Sequence, residues 1–211
     1  MSGALHLPGH LGISGITPMP LPVATTERKL LHTRTITCEG YERADGHWDI
    51  DAWMTDIKSY SFPNRDRGQV PVGEPLHGMG FRITYDDRMT IIDAVAVTDF
   101  SPFRICPNIT PTFKDLVGLR MTPGFTRTVK EKFGGIKGCV HLVELLGPIA
   151  TTAFQTIAGK RFGKFNETAR REIKIKPPLI DTCHAWDAHG PIVQLEFPQF
   201  YAGGDKEKAG A

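Results

Sequence analysis

The chain has 211 residues, with 25 basic and 23 acidic side chains that leave a formal charge of +2. That length suits one well-buried core with small appendages, and so even a balance offers no electrostatic footprint for nucleic acid or a membrane surface. No apolar run nears the roughly 20 residues that span a bilayer and no basic-then-apolar start marks an export signal, so the expectation is a cytoplasmic protein that meets a small-molecule substrate, alone or as a homo-oligomer.

Residues 1–28 are rich in glycine and proline, and Pro18, Pro20 and Pro22 alternate, which predicts an extended N-terminal arm. From Leu30 the pattern alternates: Leu31, Thr33, Thr35 and Thr37 face one way, His32, Arg34, Ile36 and Cys38 the other. Asp45-Gly46 signals a turn, and Trp48, Ile50 and Trp53 read as the returning arm of a hairpin that ends near Lys58. Arg43, Asp45, Asp49, Asp51, Asp56 and Lys58 make this hairpin charge-dense, and most of them are expected in solvent. Phe62 to Pro75, rich in Pro, Gly, Arg and Asp, predicts a connecting loop. In a second hairpin Phe81, Ile83 and Tyr85 alternate with polar residues, and Asp87-Arg88 turns the chain into Met89–Val97. That last arm is nearly continuous in apolar character, which predicts a central strand.

After Pro107 the period lengthens toward 3.6. Thr110–Val117 predicts a short helix closed by Gly118, and Phe125–Phe133 a second one stopped by Gly134-Gly135. A third runs from about Cys139 to Ile157, with Leu142, Leu145, Leu146, Ile149, Ala153, Phe154 and Ile157 as its apolar stripe. Pro148 should kink or interrupt it, because proline cannot donate to the Glu144 carbonyl. Ile192–Phe197 predicts a final strand, and residues 201–211 a disordered tail. Strand pairs, then helices, make residues 29–200 a single α+β domain: a mainly antiparallel sheet built from hairpins, with two or three helices on one face.

The chemistry-bearing residues fall in packets. Cys139, His141 and Glu144 come where a glycine-rich loop enters a helix, whose free N–H groups favour thiolate. Inside a helix Cys139 and His141 would point about 200° apart, so they converge only if Cys139 caps it. Glu144 shares a face with His141 and is placed to fix its tautomer. Taken alone, Cys139 and His141 read more readily as a small buried residue and a surface histidine. Cys106 lies near a strand end, and Cys183 and His184, adjacent in a strand, would face opposite sides. Trp186 would then share a side with His184, as pocket wall or as core.

His77, beside Gly78, is a candidate base, and Arg82 is a candidate clamp for a carboxylate or the cation of an ordinary surface ion pair. Three cysteines and a histidine would meet tetrahedral zinc chemistry, although gaps of 33 and 44 residues between Cys106, Cys139 and Cys183 match no compact finger. Motifs for dinucleotides, nucleoside triphosphates, serine hydrolases and HExxH zinc proteases are absent from the sequence.

Five strings, Gly40–Ile50, Leu76–Arg82, Pro102–Cys106, Gly138–Leu142 and Thr182–Trp186, taken in order over residues 30–200, resemble an uncharacterised bacterial family catalogued as domain of unknown function 2889. The resemblance implies no activity, but the packets at Cys106, Cys139-His141 and Cys183-His184 coincide with its motif positions. The Gly-Cys helix start is also similar to iron–sulfur scaffold proteins.

Two functions follow as expectations. The first is a small-molecule enzyme, a lyase or hydrolase of bacterial catabolism acting on an aromatic or organic-acid substrate. In it Cys139, His141, His77 and Cys106 are the catalytic candidates, and Arg82, His184 and Trp186 bind substrate. The second is a non-enzymatic zinc, iron or iron–sulfur carrier using Cys106, Cys139 and Cys183.

Overall fold

The computed structural model describes residues 21–162 and 171–203. Residues 21–31 are exposed and carry neither helix nor strand; residues 1–20 of the expected arm, and 204–211 of the expected tail, lie outside the described residues. The sheet holds β1 (His32–Glu42), β2 (Trp48–Lys58), β5 (Pro75–Tyr85) and β6 (Ile91–Phe100) in the order β1-β2-β5-β6, every neighbouring pair antiparallel. Both predicted hairpins form, with Gly46 supplying a positive φ of 86° at the first turn. Within the expected connecting loop, β3 (Phe62–Asn64) and β4 (Gly68–Val70) make a small hairpin of their own.

The chain after β6 crosses one face of this sheet. A 3-10 segment (Cys106–Leu116) stands where a short α-helix is predicted, followed by α1 (Phe125–Phe133) and α2 (Val140–Phe162). Inward residues of the strands, among them Ile50, Met54, Phe81, Ile83 and Tyr85, share one core with Leu142, Leu145, Leu146, Ile149, Ala153 and Ile157 of α2. The Tyr85 hydroxyl donates to the Ala153 carbonyl at 3.0 Å, which satisfies a buried polar group at the sheet–helix contact. The architecture is thus α+β, with a mainly antiparallel sheet and helices on one face.

Three local expectations are corrected. β6 is an edge strand, not a central one; its run looks continuous because Ile92, Val95 and Val97 face solvent while Ile91 and Ala94 face the core. α2 is not interrupted at Pro148: the helix continues past it, and the residues on both sides, Leu145, Leu146, Ile149 and Ala153, are buried in one core. The segment predicted as a last strand is a helix, α3 (Pro191–Glu196), since Pro191 fits a first helical turn and Val193 is the residue it buries. With Ile180, Ala188 and Phe197, Val193 forms a second, smaller apolar cluster, so the described residues of the predicted 29–200 unit hold two clusters.

Candidate functional site

The inward stripe of β2 reads Trp48, Ile50, Ala52, Met54 and then Asp56, a carboxylate 1% exposed where another apolar residue would continue the pattern. Cross-strand register decides its company, for Arg34 of β1 and His77 of β5 both lie directly opposite Asp56. Arg34 donates from Nε to Oδ1 and from its terminal nitrogen to Oδ2, each at 2.8 Å, in a two-pronged ion pair. The His77 ring lies with Nδ1 2.9 Å from Oδ2, and His32 with Nε2 3.0 Å from Oδ1. A carboxylate only accepts, so these ring nitrogens carry the hydrogens.

The first turn of α2 closes over this end of the sheet. The carbonyl of Cys139 accepts the N–H of Val143 at 2.9 Å, which makes Cys139 the residue that caps the helix. In that position it meets His141 as the capping geometry requires, with Sγ 3.9 Å from Nδ1. The other nitrogen of His141, Nε2, lies 3.9 Å from Oδ2 of Asp56, and the His77 and His141 rings pack with centroids 3.8 Å apart. Glu144 does not hold His141; it accepts from Arg34 at 2.5 Å, extending the ion pair to a second carboxylate. Asp56, His77 and His141 each offer a ligand-capable atom, all within 4.8 Å of one another.

The electrostatics follow from this packing. Burial opposes ionisation of Asp56, but hydrogen bonds from Arg34, His77 and His32 outweigh it and hold the carboxyl well below the usual range. Burial, then the neighbouring His141, pushes His77 down; burial and the Arg34 charge do the same to His141. Both imidazoles are therefore neutral at physiological pH.

The loop before α2 sets this geometry. Gly138 has an extended backbone, but a Cβ there would land on the carbonyl oxygen of Phe133, closer than van der Waals contact allows. Gly138→Ala is thus expected to cost about 1–3 kcal/mol through a forced shift of the α1–α2 junction, read as a lower denaturant midpoint. An unchanged midpoint would show that the junction has room to spare.

Of the residues singled out from the sequence, His77, His141 and Cys139 come together. Cys106 opens the 3-10 segment, half-buried, and is not in the ligand-capable group. Cys183 and His184 are exposed and begin a 3-10 turn, not a strand, while Trp186 packs on Phe197 in the second cluster. Arg82 lies on the opposite face of the sheet from His77 and holds Asp51 through bonds of 2.7 and 2.6 Å. Of the other tryptophans, Trp48 is core and donates to Asp87, and Trp53 covers Gly80.

Sequence reading missed Asp56 and Arg34 as members of the centre. The signal was present in the alternation, since His32 and Arg34 share a side with Cys38, and Asp56 ends an apolar stripe. A buried charge must find partners, so that ending pointed to a site.

A family model described as "Protein of unknown function (DUF2889)" matches residues 32–155. The match takes in the whole sheet and every residue of the centre; Cys183, His184 and Trp186 fall beyond it. No curated protein and no solved structure matches the chain. Spanning more than half of the sequence and all of the centre, the match makes this chain a member of the DUF2889 family.

Proposed function

We propose that the protein is an enzyme acting on a small molecule, of the hydrolase or lyase class, with its reacting centre where Asp56, His77 and His141 meet beside Cys139. One observation carries the reading: two imidazoles, from β5 and α2, pack at 3.8 Å over one buried carboxylate, and a thiol lies 3.9 Å from one of them. Stability alone gives little reason for such a cluster, because well-packed apolar residues would fill the same space without the cost of desolvating charges. Nitrogen bases held by a carboxylate, next to a sulfur nucleophile, are the equipment of proton transfer and covalent catalysis.

In this reading Asp56 and Arg34 form a fixed frame, the imidazoles handle protons, and Cys139 is the candidate nucleophile. The substrate is sought among the organic acids and aromatic compounds of bacterial catabolism. Four free cysteines suit a reducing cytoplasm. The test is a panel of esters, thioesters and hydroxy acids of those classes, assayed with the wild type and with His141→Ala. Loss of about 10²–10⁴-fold in turnover is expected for the variant, with an unchanged circular dichroism spectrum. Turnover that persists in His141→Ala would remove His141 from the chemistry.

A second reading is a metal carrier that is not an enzyme. The observation favouring it is the Asp56, His77 and His141 group itself, which contains none of the cysteines first considered as ligands.

A further inference from the structure

We propose that Asp56, His77 and His141 form a site for one divalent transition-metal cation of the Zn²⁺ type, bound through Oδ2, Nδ1 and Nε2 respectively. The site deepens the enzyme reading by naming what the centre would hold, but its existence rests on geometry alone. Ligand atoms each about 2.0–2.1 Å from a common ion at a tetrahedral angle lie roughly 3.3 Å apart. The observed separations from Asp56 Oδ2 bracket that figure, 2.9 Å to His77 Nδ1 and 3.9 Å to His141 Nε2. Small side-chain adjustments would bring all three onto one ion, leaving a fourth position for water or substrate, the pattern of an open catalytic site.

The surroundings agree. Metal-bound histidines usually engage their second nitrogen, and the second nitrogen of His141, Nδ1, meets Cys139 Sγ, which turns Nε2 toward Asp56. Ligating carboxylates are themselves hydrogen-bonded, and Arg34 holds Asp56 by two bonds. Asp56 and Glu144 carry two negative charges against one positive charge on Arg34, so the network has an anionic excess that a cation would offset. Without an ion, the His77 Nδ1 hydrogen bridges to Asp56. On binding, that hydrogen shifts to Nε2, the ring stays neutral, and the freed Nδ1 lone pair reaches the cation.

The test uses the full chain, stripped with a chelator and titrated with Zn²⁺ by calorimetry and with Co²⁺ by visible absorption. One ion per chain is expected, with affinity weakened at least tenfold in His77→Ala and in His141→Ala, and unchanged in Cys106→Ser and Cys183→Ser. His141 is partly exposed at a helix start, so its variant keeps the test open should His77→Ala fail to fold. Three results would overturn the site: no saturable binding, binding that survives loss of both histidines, or binding abolished by either serine variant. Saturable binding without turnover of any panel compound would support the site and count against the enzyme. Turnover that depends on His141 in a protein that binds neither ion would do the reverse.

Discussion

Asp56→Ala is expected to destabilise the protein by about 3–5 kcal/mol, the range for removing one partner of a buried ion pair. The variant leaves Arg34, His32 and His77 facing an apolar gap. Arg34 keeps Glu144 and is one-third exposed, which moves the expectation toward the lower end. At about 2–4 °C per kcal/mol for a chain of this size, the melting temperature should fall by roughly 6–12 °C. A loss below about 1 kcal/mol would mean that the carboxylate is better hydrated than its burial indicates. The triple variant Arg34→Met, Asp56→Leu, His77→Leu sharpens the argument. Because apolar replacement of a buried ion pair is often neutral or stabilising, and the His32 and Glu144 side chains left behind are 40% and 49% exposed, it should melt near the wild type. Recovery of stability together with loss of metal binding would separate what the centre does for the fold from what it does for function.

The second large effect lies in the core. Phe113 is fully buried, stacks on Phe133 at 5.0 Å and meets Phe81 edge-on at 5.3 Å, so it joins the 3-10 segment to α1 and to β5. Phe113→Ala should cost about 3–5 kcal/mol, since a rigid aromatic trio cannot close the cavity. The segment it anchors has little stability of its own: 3-10 geometry is weak over so many residues, and Pro107 and Pro111 remove donors. Hydrogen exchange should therefore quicken first in residues 106–116. A cost under about 1.5 kcal/mol would show that Leu116 and the neighbouring core refill the space.

These two residues also mark how far the sequence can be read. The hairpins were legible because turn residues and period-two alternation are local signals, as Asp45-Gly46 and the Phe81, Ile83, Tyr85 series show. The α2 stripe was legible for the same reason at a period of 3.6. Sheet order was not, because nothing local to Ile91–Val97 says whether its outer side chains meet protein or water. The last helix hid because Ile192, Val193 and Leu195 suit either period, and only Pro191 tips the balance. Of the centre, His77, His141 and Cys139 were identifiable by residue type and by the glycine-rich helix start. Asp56 was obscured by eight other charged residues in its hairpin, residues 32–58. Its inward orientation depends on register with Arg34 and His77, which lie 22 and 21 residues away in the chain. Cys106 and Cys183 drew notice by residue type and by their place in the family strings, and the fold does not gather them with Cys139 into one group of ligand atoms.

The most direct test is an anomalous difference map from crystals of the full chain soaked in Zn²⁺ or Co²⁺. We expect one dominant peak among Asp56 Oδ2, His77 Nδ1 and His141 Nε2, absent from His141→Ala crystals treated identically. A peak on Cys106 or Cys183 instead, or none in the wild type at saturating metal, would contradict a cation-binding centre at this end of the sheet.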